Sequence, residues 1–411
     1  MGAVSWRSVL FDLVLLVETL LMEFALLGED AAVSSLVRAI GDRAEHAVMR
    51  DISGWEQLLA DENVEAVIVA GCEPRVLDGA KQLAAAGIPL LVVPHIGQGA
   101  GWIYELTLAR DDSGVVLLPV FAHVDDPAVT ALGGVLAEGT LGKLLYIQVE
   151  RTCDRAADGR LFEVREVDEV LLPDVPVLLH LFGEYSRVTA LHSGVVDGRI
   201  AAASVTLAGT GLPEVTWSLQ AASGTSGWKM TVTGEQGVAV LSGGDEAGGM
   251  RLDVRGETVV AGDDGDLAVK SAEAVLDRFA RKISGETVRP DWSDLTRTFE
   301  IVEATHRSVR RRRSIDIYFE TQSERSQFKT QMTAIGCGVL CLTLFAVIGL
   351  LMIGALFDVP PIVMHIGRAL VFLPVFVFLG LQLLVFIAKP TSRDSGSDEP
   401  AVTEDEAESP D

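Results

Sequence analysis

Three histidines, His95, His123 and His180, could exchange a proton with a ligand hydroxyl. Imidazole is suited to that work because its ordinary pKa lies near the working pH. His95 is the best placed of them. It follows Leu90-Leu91-Val92-Val93, an apolar run that reads as a buried strand, and open α/β sheets bind ligands beyond the carboxyl ends of their strands. His46, His95, His123, His192 and His306 show no metal-ligand spacing. Cys72, Cys153, Cys337 and Cys341 are scattered, without the spacing of a disulfide framework or a zinc site, which points to a reducing compartment.

The elements that position His95 are legible in residues 63–97. Val67-Ile68-Val69 is a β-branched run of the kind buried on both faces of a parallel sheet. Ala80 to Ala86 favours helix and stops at Gly87, a residue suited to a left-handed helix end. With Leu90–Val93 these segments spell strand, helix and strand, a right-handed crossover between parallel strands.

The wording of that crossover resembles the Gfo/Idh/MocA oxidoreductases. Val64-Glu65-Ala66-Val67-Ile68-Val69-Ala70 matches the family's opening phrase, and Ala86-Gly87-Ile88-Pro89-Leu90-Leu91-Val92 matches the approach to its catalytic Glu-Lys-Pro tripeptide. Here Val93-Pro94-His95 stands in that place, so the family's lysine is absent. The resemblance implies an α/β Rossmann-like domain over 22–142 that binds NAD or NADP, with cofactor contacts at Gly28, Asp51 and Ala70. A dinucleotide loop reads G-x-G-x-x-G because its backbone must approach a pyrophosphate at a helix N-terminus. Gly28-Glu29-Asp30-Ala31-Ala32-Val33 keeps only the first glycine and adds two acids, which equally suit an ordinary strand–loop–helix with an acidic cap. Asp51 could stand for the ribose-binding acid or cap the next helix, a role for which Ser53 competes. The segment between Gly28 and Trp55 is short for the family.

From Val115 the likeness resumes with a buried strand, Val115–Val120, and a helix opening at Asp126-Pro127. Gly139 to Ile147 resembles the family's passage into its second domain, expected over 143–325 as an α+β unit with an open antiparallel sheet. The family's second catalytic signature falls on Glu169, Leu171, Pro173 and Pro176, with no histidine at the catalytic position. His180 lies near a helix end instead, and Asp174 is expected to cap the helix Val175–Phe182. Asp197-Gly198 between apolar residues predicts a hairpin, and Trp228 to Val240 a second one. A helix over Leu295–Arg310 resembles the one that folds back on the first domain in relatives. These features imply a ligand-binding or scaffold pseudo-oxidoreductase. The alternative is an active NAD(P)-dependent oxidoreductase on a sugar-like or cyclitol substrate, with His95, His123 or His180 as relocated proton acceptors. A third class is a purely structural assembly protein. Homo-oligomerisation through the open sheet face follows from the resemblance in each case.

Beyond residue 325 the composition changes. Met332 to Phe357 carries no charged residue, longer than the roughly 20 apolar residues a bilayer needs. Ile362 to Ala388 is a second such segment, interrupted by Arg368 and Pro374. Together they predict a two-helix hairpin through a lipid bilayer. Arg307, Arg310–Arg313, Arg325 and Lys329 before it, and Lys389 and Arg393 after it, place both ends and the soluble region in the cytoplasm by the positive-inside rule. The arginine run either binds anionic lipid or merely sets that topology. Residues 389–411 are an acidic tail with a disordered composition. A net charge of −25 excludes nucleic-acid binding through a phosphate-neutralising surface. Residues 8–27 are apolar, but Asp12, Glu18 and Glu23 would each cost about 2.5–3.5 kcal/mol at a bilayer centre. Residues 1–21 are therefore expected to be a non-native extension before a start at Met22. N-terminal sequencing of the native protein should begin at Met22, and a sequence beginning earlier overturns this reading.

Overall fold

The computed structural model describes residues 22–30, 33–42, 46–49, 54–61, 63–121, 123–154, 161–222, 226–244, 249–261, 267–317, 341–350, 352 and 371–372. Continuous apolar runs form the first sheet, as expected of strands covered on both faces. Its strands are β1 (Met22–Leu27), β2 (His46–Met49), β3 (Ala66–Val69), β4 (Leu90–Val92) and β5 (Leu117–Pro119). They run parallel in the order β2-β1-β3-β4-β5. The order reverses between β1 and β3, and that switch point is where doubly wound sheets open a crevice.

Helices α1 (Val33–Asp42), α2 (Trp55–Ala60), α3 (Pro74–Ala85) and α4 (Gly99–Ser113) accompany these strands. Helix α5 (Pro127–Ala137) begins at Asp126, whose carboxylate accepts the Ala128 N–H at 2.8 Å. Strand β6 (Leu144–Asp154) then opens the second sheet. After α6 (Val164–Leu171) and α7 (Asp174–Phe182) come β7 (Arg187–Ser193), β8 (Ala202–Ala208), β9 (Glu214–Ala222), β10 (Gly227–Gly234), β11 (Gly237–Gly244), β12 (Arg251–Val254) and β13 (Glu257–Val260). The expected turn between β7 and β8 forms at Asp197-Gly198, both at positive φ, as a tight hairpin turn requires.

The second sheet is mixed, which corrects the expected antiparallel one. Its order is β13-β12-β11-β10-β6-β9-β8-β7-β14, with β14 at Ile315–Asp316, and β6 pairs parallel with β9 at its centre. Sequence-adjacent strands pair antiparallel, but β6 meets a strand some seventy residues later, Tyr146 opposite Glu214. Such a connection can return in either direction.

Two C-terminal helices close the unit. Helix α8 (Leu267–Ile283) packs Val275, Leu276 and Phe279 against Phe24, Ile40 and Leu91 on one face of the first sheet. Helix α9 (Trp292–Arg311) opens with a capping box between Asp291 and Asp294 and touches α4, α7 and β7. It extends the expected Leu295–Arg310 helix at its start. Residues 320–411 form a separate unit, in which 341–350 are helical. No helix among the described residues is long and apolar enough to cross a membrane. The expected spans 332–357 and 362–388 lie largely outside those residues, as do 1–21 and 389–411 wholly.

Asp174 does not cap its helix, a second correction. Its carboxylate is buried and accepts from Arg151 Nε at 2.8 Å, from Arg151 Nη2 at 2.5 Å and from Trp217 Nε1 at 2.7 Å. An aspartate this deep is held by a cation and a second donor, because an unpaired buried charge is costly. Arg151 lies on β6, Trp217 on β9 and Asp174 at the start of α7, so one carboxylate fastens the helix to the parallel pair. Asp174→Ala should lower the unfolding free energy by about 3–5 kcal/mol, measured by denaturant titration, because it leaves the Arg151 guanidinium buried without its anion. A change under about 1 kcal/mol would show the contact to be dispensable.

Candidate functional site

The carboxyl ends of β4 and β5 open into a cavity of about 410 Å³. Val93, Pro94, His95 and Ile96 line it after β4. Val120, Phe121 and His123 line it after β5, and Glu169, Leu172 and Pro173 face them from α6 and the start of α7. The fastening of α7 to the sheet through Asp174 thus holds Leu172 and Pro173, just before it, in the wall.

His95 is wired in place by its own backbone. A 3-10 turn (Ile96–Gln98) follows it, and the His95 Nδ1 accepts the Gly97 N–H at 3.0 Å. The Gln98 side chain is buried: its Oε1 accepts the His95 N–H at 3.1 Å. Its Nε2 donates to the carbonyls of Val93 at 2.9 Å and Gly71 at 3.2 Å. With Nδ1 occupied as an acceptor, neutral His95 carries its proton on Nε2 and offers a donor.

His123 shares this cavity. His180 does not line it but lies exposed at the end of α7. Desolvation by the protein packed on one side lowers the His180 pKa, opposed by Asp125, with a further lowering from Arg278. Asp125 follows His123 by two residues and pairs with the buried Arg278 of α8, tying the His123 loop to the helix behind the first sheet. Burial nevertheless raises the Asp125 pKa, with Arg278 opposing.

Glu169 falls in sequence where the family resemblance places the first position of the second catalytic signature. It lines the cavity, with Arg165 Nε at 2.9 Å from one carboxylate oxygen. The adjacent Asp168 is buried and accepts from His306 Nε2 of α9 at 2.9 Å, which anchors α6 beside the cavity.

The expected cofactor turn lies at the switch point. Gly28 has φ +89°, and a Cβ there would stand 1.9 Å from the Ala70 carbonyl oxygen, so glycine is required at this approach. Gly28 and Ala70 are therefore brought together by the β1–β3 pairing. Asp51 lies outside the described residues. One carboxylate approaches the turn: a Cβ on Gly71 would lie 2.7 Å from Glu73 Oε2. A dinucleotide pyrophosphate is stabilised by backbone N–H groups and positive charge, and the Glu73 carboxylate beside the turn works against it. The backbone at Gly28 makes the close approach to Ala70 that such a group needs.

No known family profile matches the chain. Trans-1,2-dihydrobenzene-1,2-diol dehydrogenase of Macaca fuscata fuscata is 29% identical over 119 residues, which are 29% of this chain and 36% of that protein. The chain thus aligns with about a third of that relative's length. Among solved structures, a myo-inositol dehydrogenase from Corynebacterium glutamicum superposes with TM-score 0.58 at 14% identity, over 72% of this chain and 99% of the other. Levoglucosan dehydrogenase, in complex with NADH and levoglucosan, gives TM-score 0.60 at 16% identity, over 72% and 99%. The chain therefore has a Rossmann-like dehydrogenase fold with a second, mixed-sheet half.

The hydrogen bond to Asp168 raises the His306 pKa above its ordinary value near 6.5. The pair therefore contributes stability fully at pH below about 6.5 and loses it as pH rises through the raised folded value. Thermal melts from pH 5.5 to 8.5 should show Asp168→Asn losing more stability at the acid end than at the alkaline end. A uniform loss across that range would show that the pair does not titrate.

Proposed function

We propose that the chain is a member of the Gfo/Idh/MocA family in which the cavity beyond β4 and β5 holds a small sugar-like ligand without hydride transfer. The observation that carries this is the wiring of His95. The residue standing in the family's catalytic tripeptide is fixed as a hydrogen-bond donor and not as a proton acceptor. The Glu73 carboxylate beside the Gly28 turn points the same way. The sugar-like class is supported by the levoglucosan and inositol dehydrogenases that share the fold. Anchoring by a bilayer hairpin at 332–357 and 362–388, with the soluble part cytoplasmic, is part of the proposal and rests on the charge-free sequence there.

A second reading is an active NAD(P)-dependent oxidoreductase. The close Gly28 turn against Ala70 favours it, because that turn is the backbone feature a dinucleotide needs. His123 would then be the proton acceptor, since His95 is committed to Gly97.

One preparation tests these readings. The full chain should stay in the membrane pellet through an alkaline carbonate wash, and release by the wash overturns the anchor. The same protein, solubilised and titrated with NADH and NADPH, should show no rise in melting temperature. Binding at a hundredfold excess over Kd would add about 2.7 kcal/mol, and a shift of that order would decide for the enzyme.

A further inference from the structure

We propose that the sheet edge formed by β7 and the end of α9 docks on an anionic lipid surface. Its arginines meet the headgroups, and the tip of the β7–β8 hairpin enters the headgroup layer. The inference takes up the reading of the chain as membrane-anchored and adds a contact made by the folded unit itself. Arg310, Arg311, Arg312 and Arg313 are all exposed, and none of their side chains pairs with an acid among the described residues.

The run is fixed in place. Arg312 has φ +52°, so the chain leaves α9 there and turns onto β14, which pairs antiparallel with β7. The Thr189 and Ser314 hydroxyls meet at 2.7 Å. The Ala190 N–H donates to Ser308 Oγ at 2.9 Å, and that hydroxyl donates to the Arg313 carbonyl at 2.7 Å. These bonds hold the arginines against the middle of β7. Farther along the same strand Leu191 is 61% exposed, and at the hairpin end Val195 and Val196 are 62% and 53% exposed. Val196 and Arg199 exchange backbone hydrogen bonds of 2.8 and 2.9 Å about Asp197-Gly198, so the tip is a closed turn. From Thr189 to Val195 an extended chain covers about 20 Å.

A single exposed aliphatic side chain is ordinary on a protein surface. Three on one hairpin end, beside four exposed arginines, match a lipid interface, which takes hydrocarbon below its headgroups and cations at its phosphates. A helix C-terminus favours nearby cations and accounts for Arg310 and Arg311 in the last turn of α9, but not for Arg312, Arg313 or the valines. The nearby acids are mostly neutralised: Asp316 pairs with Arg187 at 3.1 Å and Glu163 with Arg199 at 3.3 Å, which leaves Asp197 at the turn. Repulsion from acids more than about 8–10 Å away is largely screened by salt, so the net charge of −25 permits the contact. Residues 318–331, between Ile317 and the charge-free run at Met332, span at most about 50 Å, so an anchored chain keeps this edge within reach of the bilayer.

The test uses the full chain with Cys72, Cys153, Cys337 and Cys341 changed to serine and Val196→Cys labelled with a fluorophore that shifts to the blue on leaving water. The label should shift in vesicles of phosphatidylcholine with phosphatidylserine and not in phosphatidylcholine alone. Each arginine near an anionic surface favours contact by roughly fivefold, so changing Arg310–Arg313 to glutamine should abolish the shift at unaltered melting temperature. An equal signal in both vesicles, or a shift that survives the four substitutions, overturns the inference. A shift that needs no vesicles and grows with protein concentration assigns the tip to a second copy of the chain and overturns it too. An alkaline carbonate wash of the same vesicles reports the anchor separately. A retained chain with an unshifted label overturns the docking alone, and release of a chain whose label had shifted overturns the anchor alone.

Discussion

The carboxylate of Asp174 ties the start of α7 to β6 and β9, strands with which that helix shares no backbone ladder. It is buried between Arg151 of β6 and Trp217 of β9, and it begins the helix that follows the cavity wall. The Arg151 guanidinium also stands 5.6 Å from the centroid of the Trp228 ring, which supplies further compensation for a desolvated cation. Replacing such a cluster with hydrocarbon is often energetically neutral, so its distinctive contribution is registry. Here it fixes where α7 begins relative to the central strands, and hence where Leu172 and Pro173 meet Val93 and Phe121.

Opposite that wall the first sheet contributes loops held by different means. The His95 turn is fixed by a buried glutamine that bonds to three backbone groups, and the His123 loop by the Asp125–Arg278 pair. The α6 side is held by His306 and Asp168. Each side of the cavity is therefore anchored to a different helix or loop outside it. The side chains that face inward are left to determine what enters, which is the usual division between scaffold and site.

Much of this architecture was legible in the sequence, for physical reasons. Val67–Val69 and Leu90–Val92 are continuous apolar runs because parallel strands are covered on both faces, and Asp197-Gly198 could only be a tight turn. Helix α4 escaped notice because it starts from a histidine-capped turn and not from a serine, threonine or aspartate. Helix α8 carries a readable apolar spacing at Val269, Ala272, Val275, Leu276 and Phe279, and that signal could have found it. His95 and His123 share the cavity, whereas His180 lies outside it and Glu169 inside. Alignment to a motif weighs residues by position in a phrase, while the cavity is assembled from three separate segments. The aspartate expected as a cap became an ion-pair partner because the arginine that claims it lies on a distant strand.

The parallel pairing of β6 with β9 also bears on how the chain assembles. Strands β7 to β9 and β10 to β13 are runs of neighbours that can form locally, each strand against the next. Strand β6 lies between these two groups, paired with β9 on one side and β10 on the other, yet it is synthesised before both. Its two edges must wait for the rest of the sheet, and the loop closures that join them are long and therefore slow. An early strand with both edges open is the point at which a nascent chain is most exposed to wrong pairing. Among the described strands of this sheet, Leu144–Asp154 is made first and finds its partners only after the later strands β9 and β10 exist.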